Sequence, residues 1–268
     1  MAVSKANRIL ELVQITDSHL FADAHEKLLG LETRYSLERV VDQVLVERPR
    51  IDLVLATGDL SQDGSPRSYE LFREQTRRIG APKRWCPGNH DDRAAMLEAS
   101  RGSDLMQPVV DLDGWRIILL DSLVPGAVFG QLEDDQLQLL ESALTGAAGR
   151  HCLICLHHHP VDIGSRWMDA IGLRNADRLF AVIRQHHQVR GLIWGHVHQA
   201  FDAEREGVRL LASPSTCMQF EPGSEDFQIG AEAPGYRWLR LHPDGQIETA
   251  VSRVAGLVFE PEDGVKGY

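Results

Sequence analysis

Long apolar runs are missing from this sequence. Nowhere do ~18 uncharged apolar residues follow one another, the length a membrane-crossing helix needs. No membrane partner is therefore expected. The segment from Met1 to Arg8 lacks an apolar h-region and a cleavage site. Cysteine is also sparse. Four in 268 residues do not make a disulfide framework, so a reduced, cytoplasmic protein is expected. Positive charge is in deficit, with 28 Lys and Arg against 39 Asp and Glu and a formal net charge of −11. That balance lacks the basic footprint of a nucleic-acid binder, which excludes a DNA or RNA polymer as the expected partner. Internal repeats, low-complexity tracts and linkers are absent too, so residues 1–268 read as one domain, β-rich from about 199.

What the chain does have is histidine, twelve in all, and five short motifs that concentrate it. They are Asp17-Ser-His19, Gly58-Asp59-Leu-Ser-Gln-Asp63, Gly88-Asn89-His90-Asp91, His157-His158-His159-Pro160 and Gly195-His196-Val-His198. Each follows a short apolar run that reads as a buried strand, such as Leu12 to Thr16 or Leu53 to Thr57. In open α/β sheets, ligands gather at the carboxyl ends of strands. Five strand-end clusters of Asp, Asn and His therefore suggest one metal site built from the whole chain.

Counting donors suggests the number of ions. Asp17, His19, Asp59, Asn89, one histidine of 157–159, His196 and His198 make seven side chains. A catalytic transition metal usually takes three or four protein ligands. Two ions sharing one carboxylate would each receive four, and Asp59 is the natural bridge. The donors are oxygen and imidazole nitrogen without thiolate, which favours two divalent or mixed-valence ions, Fe or Mn first and Zn possible, over an all-oxygen Mg or Ca site. Gly58, Gly88 and Gly195 precede ligands, where each is expected to permit a sharp turn.

The surrounding pattern predicts the fold. Residues 8–91 alternate strand and helix, with helices at Thr33 to Glu47 (stopping at Pro49) and Pro66 to Ile79 (closed by Gly80). Val109 to Leu120 reads as two strands joined at an Asp-Gly turn. Helices are expected at Leu132 to Leu144 and Arg174 to His187, with later turns at Glu206-Gly207 and Asp244-Gly245. The combination fits an α/β protein: a four-layer αββα sandwich of two facing mixed sheets flanked by helices. The loop from Asp162 to Gly172 and the stretch from Pro214 to Pro234 lack regular pattern and are long enough to rim a site.

In this order and spacing, the five motifs resemble the calcineurin-like metallophosphoesterase superfamily, whose signature is D-x-H, G-D, G-N-H-[DE], H and G-H-x-H. The segments Gln14 to Phe21, His157 to Pro160, Leu173 to Ala176, Ser213 to Cys217, Ala233 to Trp238 and Gly267-Tyr268 resemble the bacterial class III cyclic-AMP phosphodiesterases. The resemblance implies a metallophosphoesterase fold and hydrolysis of 3′,5′-cyclic AMP to 5′-AMP by a metal-bridging hydroxide. It would give one ion Asp17, His19, Asp59 and His198, and the other Asp59, Asn89, His157 and His196. It also implies that the cyclic nucleotide lies against His19, Asp59, Asn89, His90, His157 and His198. His157 is preferred among its three neighbours because the family's ligand is the first histidine after the strand.

The residues themselves suggest the catalytic roles, Asp59 as the bridge and His90 as the acid or phosphate contact, since His90 follows a ligand without being needed as one. No Ser, Cys or Thr sits in a recognisable nucleophile motif, so direct attack by water is expected. Many relatives carry a second aspartate three residues after the bridging one. Here Asp63 lies four residues after Asp59, which leaves Asp91 as a competing orienter for His90.

Blander readings attach to other residues. Cys152-Leu-Ile-Cys155 matches a redox spacing but lies inside an apolar strand, where residues three apart face opposite sides. Cys217 reads as packing. Asp121 suits a supporting role at the site and a strand-end cap equally. Arg174 and Asn175 could meet substrate from the rim, and Asn175 could equally cap a helix. The arginine-rich stretch from Arg67 to Arg84 reads as a solvated helix face. Two rival functions remain open at this level: hydrolysis of another small phosphodiester, such as a glycerophosphodiester or nucleoside-diphosphate derivative, and a non-catalytic regulatory binding module.

Overall fold

The computed structural model describes residues 8–257 and Phe259; Met1 to Asn7 and the closing Gly267-Tyr268 lie outside the described residues. Two mixed sheets face each other. The first takes β1 (Leu10–Ile15), β4 (Leu53–Thr57), β5 (Lys83–Cys86), β12 (Gly235–Leu241) and β13 (Ile247–Arg253), in the order β13-β12-β1-β4-β5. The second takes β6 (Val109–Leu112), β7 (Trp115–Leu119), β8 (His151–Cys155), β9 (Val189–Trp194), β10 (Phe201–Arg205) and β11 (Val208–Ala212), ordered β10-β11-β9-β8-β7-β6. The β-rich C-terminal part is thus divided between the sheets: β10 and β11 join the second, β12 and β13 the first.

Alternation along each strand builds three apolar layers. Leu10, Leu12, Leu53 and Leu55 meet Ile117, Leu153, Cys155 and Ile193 between the sheets. Their neighbours Val13, Ile15, Val54 and Ala56 point the other way, under α1 (Thr33–Glu47) and α2 (Pro66–Thr76). On the far side, Ile154, Leu192 and Trp194 pack under α4 (Asp134–Thr145) and α6 (Ala176–Ile183). The layers are therefore α, β, β, α.

α1 has the span expected from its apolar spacing. The second helix ends its α-helical part at Thr76 and closes with a 3₁₀ turn, Arg77–Ile79, on Gly80 at φ 73°. α6 starts two residues later than expected, where Arg174 and Asn175 are committed elsewhere, and it ends at Ile183, short of His187. Three small elements had no periodic signal: the hairpin of β2 (Lys27–Leu28) and β3 (Leu31–Glu32), α3 (Arg93–Ala99) and α5 (Arg166–Asp169). Cys152 faces the outer layer and Cys155 the inter-sheet layer, so the C-x-x-C spacing spans two faces of one strand. All four cysteines are buried and free. Among the described residues, no helix is long and apolar enough to cross a membrane.

Candidate active site

β1, β4 and β5 run parallel in one sheet, and β8 and β9 run parallel in the other. Each delivers one motif at its carboxyl end, and the loops are stitched together across the sheets. Asp17 N–H donates to Gly58 O at 3.0 Å, and Gly195 N–H to His157 O at 3.2 Å. His196 N–H reaches Asp17 Oδ1 at 3.0 Å, and His90 N–H reaches Asp59 Oδ1 at 2.9 Å.

The backbone is strained where the side chains converge. Asp17, His19, Asp59, His196 and His198 all have positive φ, between 46° and 68°, a region non-glycine residues rarely occupy. Such strain is kept where the surroundings over-determine it, typically at functional sites. This corrects the expected role of the glycines. Gly58 does adopt φ 96°, but Gly88 and Gly195 are needed for space instead. A Cβ on Gly88 would lie 2.2 Å from Asp59 Oδ1, and one on Gly195 would lie 2.2 Å from Thr16 Oγ1.

The structure brings the expected donors into overlapping groups. Asp17, His19 and His198 form one; Asp17, Asp59 and His157 form another; His19, Asp59 and His90 a third; His157, His158 and His196 a fourth. Within each, the donor atoms lie within 4.8 Å of one another. Asp59 links the two sides, with Oδ2 3.8 Å from His19 Nε2 and 3.2 Å from His157 Nε2. Asn89 Oδ1 stands 3.2 Å from His157 Nε2.

Hydrogen bonds behind the rings set which nitrogen faces inward. His157 Nδ1 donates to Thr57 O at 2.7 Å, and His198 Nδ1 to Met218 O at 2.9 Å. A carbonyl can only accept, so in the neutral form of each ring Nε2 carries the lone pair. His19 Nδ1 faces Gln62 Oε1 at 2.6 Å. His196 is turned the other way: its Nε2 faces Ile171 O at 3.2 Å, which leaves Nδ1 for the site. Orienting partners of this kind are what metal-binding histidines require. The residues therefore fit divalent metal ions.

Protonation points the same way. Burial alone would raise the Asp59 carboxyl, but His157, His90 and His19 around it hold it well below the carboxylate range. Asp17 is likewise held low, burial being outweighed by His198. Burial presses His19 down to about 3. His157 is disfavoured as a cation by burial, yet Asp59 lifts it to about 9.

Other expectations land elsewhere. Asp63 accepts from Ala22 N–H at 2.8 Å and Ser65 N–H at 3.0 Å, so it shapes a turn. The position three residues after Asp59 is Gln62, and it holds His19. Asp91 accepts from Gly88 N–H, Leu60 N–H, Ser61 N–H and Tyr69 O–H, between 2.9 and 3.3 Å. Four donors fill the two oxygens, which makes Asp91 a brace for the loop rather than the orienter of His90. Asp121 pairs with Arg93 at 2.5 Å, anchoring α3. Asn175 clips Leu132 from both sides, through its N–H and its carbonyl, and makes no cap bond to α6. The Arg174 guanidinium lies 3.2 Å over the Phe129 ring centre.

Sequence reasoning missed Gln62, Met218, Ile171 and Phe220. Only the first lies within a motif. The others act through backbone carbonyls or, for Phe220, by stacking on His198 at 4.2 Å.

Five strand-end loops carrying this donor set between two facing sheets define a metal-type phosphoesterase architecture. The chain belongs to the calcineurin-like phosphoesterase family, whose sequence profile matches residues 10–200. It is 57% identical over 257 residues to the 3′,5′-cyclic adenosine monophosphate phosphodiesterase CpdA of Pseudomonas aeruginosa, covering 96% of this chain and 94% of that one. The protein of the same name from Escherichia coli K12 is 42% identical over 97% of this chain and 95% of its own length. Among solved structures, a dimetal phosphatase from Danio rerio superposes with a TM-score of 0.63 at 17% identity, covering 92% of this chain and 99% of that one. That last likeness concerns the fold.

Proposed function

We propose that this chain, as one domain, hydrolyses 3′,5′-cyclic AMP to 5′-AMP at a two-metal site. The observation that carries the reading is Asp59 Oδ2, set between His19 Nε2 and His157 Nε2 as a shared ligand would be. Extensive identity to two proteins named as cyclic-AMP phosphodiesterases supports the substrate. One ion would be held by Asp17, His19, Asp59 and His198. The other would be held by Asp59, Asn89, His157 and His196. His157 is favoured over His158 by its approach to both Asn89 and Asp59; His158 Nδ1 is bound to Ser122 Oγ at 2.8 Å. Nitrogen and oxygen donors without thiolate suit Fe or Mn, and Zn is chemically admissible.

When bound, the ions hold the phosphodiester, acidify a water and offset charge on the equatorial oxygens. The chain's own contribution is placement. Strained loops fix Asp17, His19, Asp59, His196 and His198 before substrate arrives. His90, half-buried at the edge with its N–H on Asp59, is positioned to protonate the departing ribose oxygen. Arg174, whose backbone N–H bonds Gly130 O beside His158 and whose guanidinium stacks on Phe129, would meet the substrate from the rim. Free cysteines support a reducing, cytoplasmic setting.

Metal titration of stripped protein with Mn tests the site itself. Two equivalents per chain are expected. Fewer than one would contradict the two-metal reading and favour a binding module.

A further inference from the structure

The arginine-rich stretch from Arg67 to Arg84 is a solvated helix face at its start, where Arg67 pairs with Glu70 at 2.9 Å and Glu74 at 3.2 Å. Arg84 does not fit that reading. It lies on β5 with its side chain only 9% exposed, and its buried Nε has no hydrogen-bond partner. Its Nη1 donates to Lys83 O at 2.8 Å, and its nearest acid, Asp104, is 3.8 Å away and largely exposed. A buried polar group left unsatisfied calls for a partner.

Arg84 lines a cleft of ≈ 540 Å³ at the start of β5, the end remote from Asn89. Arg73, Arg77 and Lys83 line it too. Arg73 donates to Ala99 O at 2.5 Å and Lys83 to Ala81 O at 2.9 Å, neutral acceptors that leave the charge unbalanced. The Arg77 guanidinium has no hydrogen bond or ion pair among the described residues. Two acids of the cleft, Glu70 and Glu74, are held by Arg67. Pro82 and Leu105 supply an apolar wall. The cleft therefore presents clustered, under-neutralised cations beside an apolar surface, in a volume typical of small-molecule sites. Guanidinium forks match phosphate oxygens in pairs, and several cations together suit a dianion.

We propose that this cleft, separate from the metal site, binds a small organic phosphate of mononucleotide size. Its phosphate would be held by Arg77, Lys83 and Arg84, and its body would rest on Pro82 and Leu105. Burial lowers the Lys83 ammonium pKa, which makes Lys83 a reactive reporter of occupancy.

The test is competitive labelling of the metal-loaded protein with an amine-reactive reagent, read by mass spectrometry at Lys83, with exposed Lys27 as reference. Probes are 5′-AMP, ribose 5-phosphate, inorganic phosphate and adenosine. At about nine times its dissociation constant, 5′-AMP or ribose 5-phosphate is expected to slow Lys83 labelling about tenfold and leave Lys27 unchanged. Protection should vanish in Arg77→Glu and in the volume-matched Arg84→Met, with turnover of each intact. Protection that survives both variants would trace to the metal site and overturn the proposal. Equal protection by inorganic phosphate or adenosine would overturn the organic-phosphate assignment, and no protection by either phosphomonoester would overturn the site.

Discussion

His19 Nε2 and His198 Nε2 stand 3.1 Å apart. With the Nδ1 atoms turned toward Gln62 Oε1 and Met218 O, the two rings present acceptor lone pairs to one another. Burial holds His19 down to about 3, so the His19 ring stays neutral near neutral pH. A divalent cation between the two rings would take both lone pairs. On the other side of Asp59, His157 and Asn89 supply the donors a second ion would take, and His157 must lose its proton to do so.

Gln62 matters because it fixes the His19 ring. Gln62→Leu keeps the volume and removes the acceptor. It is expected to weaken one of the two ions by about 10–100-fold, the usual effect of losing an orienting partner. Metal titration of the variant checks this, and unchanged affinity for both ions would remove Gln62 from the account.

Gly88→Ala forces a methyl group against Asp59 Oδ1 and backbone atoms of the same loop. Displacing the Asp59 carboxylate should lower turnover about 10²-fold, as misplacement by about 1 Å commonly does. Gly114, which has nothing within 4 Å of a new Cβ, is the control. Gly114→Ala should keep full activity.

Asn89 and His90 are adjacent in sequence but differ in role. Asn89→Ala should lose the second ion and most turnover together. His90→Ala should retain both ions while turnover falls about 10²–10⁴-fold, the range for a lost acid–base group. Metal content measured beside turnover separates them. Loss of an ion in His90→Ala would make it a ligand.

Metal loading should depend on pH through His157. In the metal-free site Asp59 raises this histidine to about 9, so it is protonated below that pH and neutral above it. An ion needs the neutral form. Affinity for the second ion should therefore rise about tenfold per pH unit between about 6 and 9, then level off, with one proton released on binding. Calorimetry in buffers of different ionisation enthalpy reads that proton. Flat affinity across the window would show that His157 is not displaced from Asp59.

The sandwich and the convergence of the five motifs were legible because strand-end motifs and apolar alternation are local signals. Thr33 to Glu47 shows its helix by spacing alone. Other features depend on contacts that sequence distance hides. Met218 and Ile171 act through carbonyls, which any residue type supplies. Asp63 and Asp91 look interchangeable in the chain, and only the fold turns one into a surface loop and the other under Gly88. Arg84 resembles its helical neighbours until β5 buries it.

Hydrolysis of cyclic AMP by the Mn- or Fe-loaded protein, beside an activated generic phosphodiester and with a chelator control, tests the proposed activity. Strong release of 5′-AMP that the chelator abolishes is the expected result. Turnover of the generic diester without cyclic-AMP hydrolysis would contradict the substrate assignment, and inactivity toward both with two ions bound would contradict the catalytic reading itself.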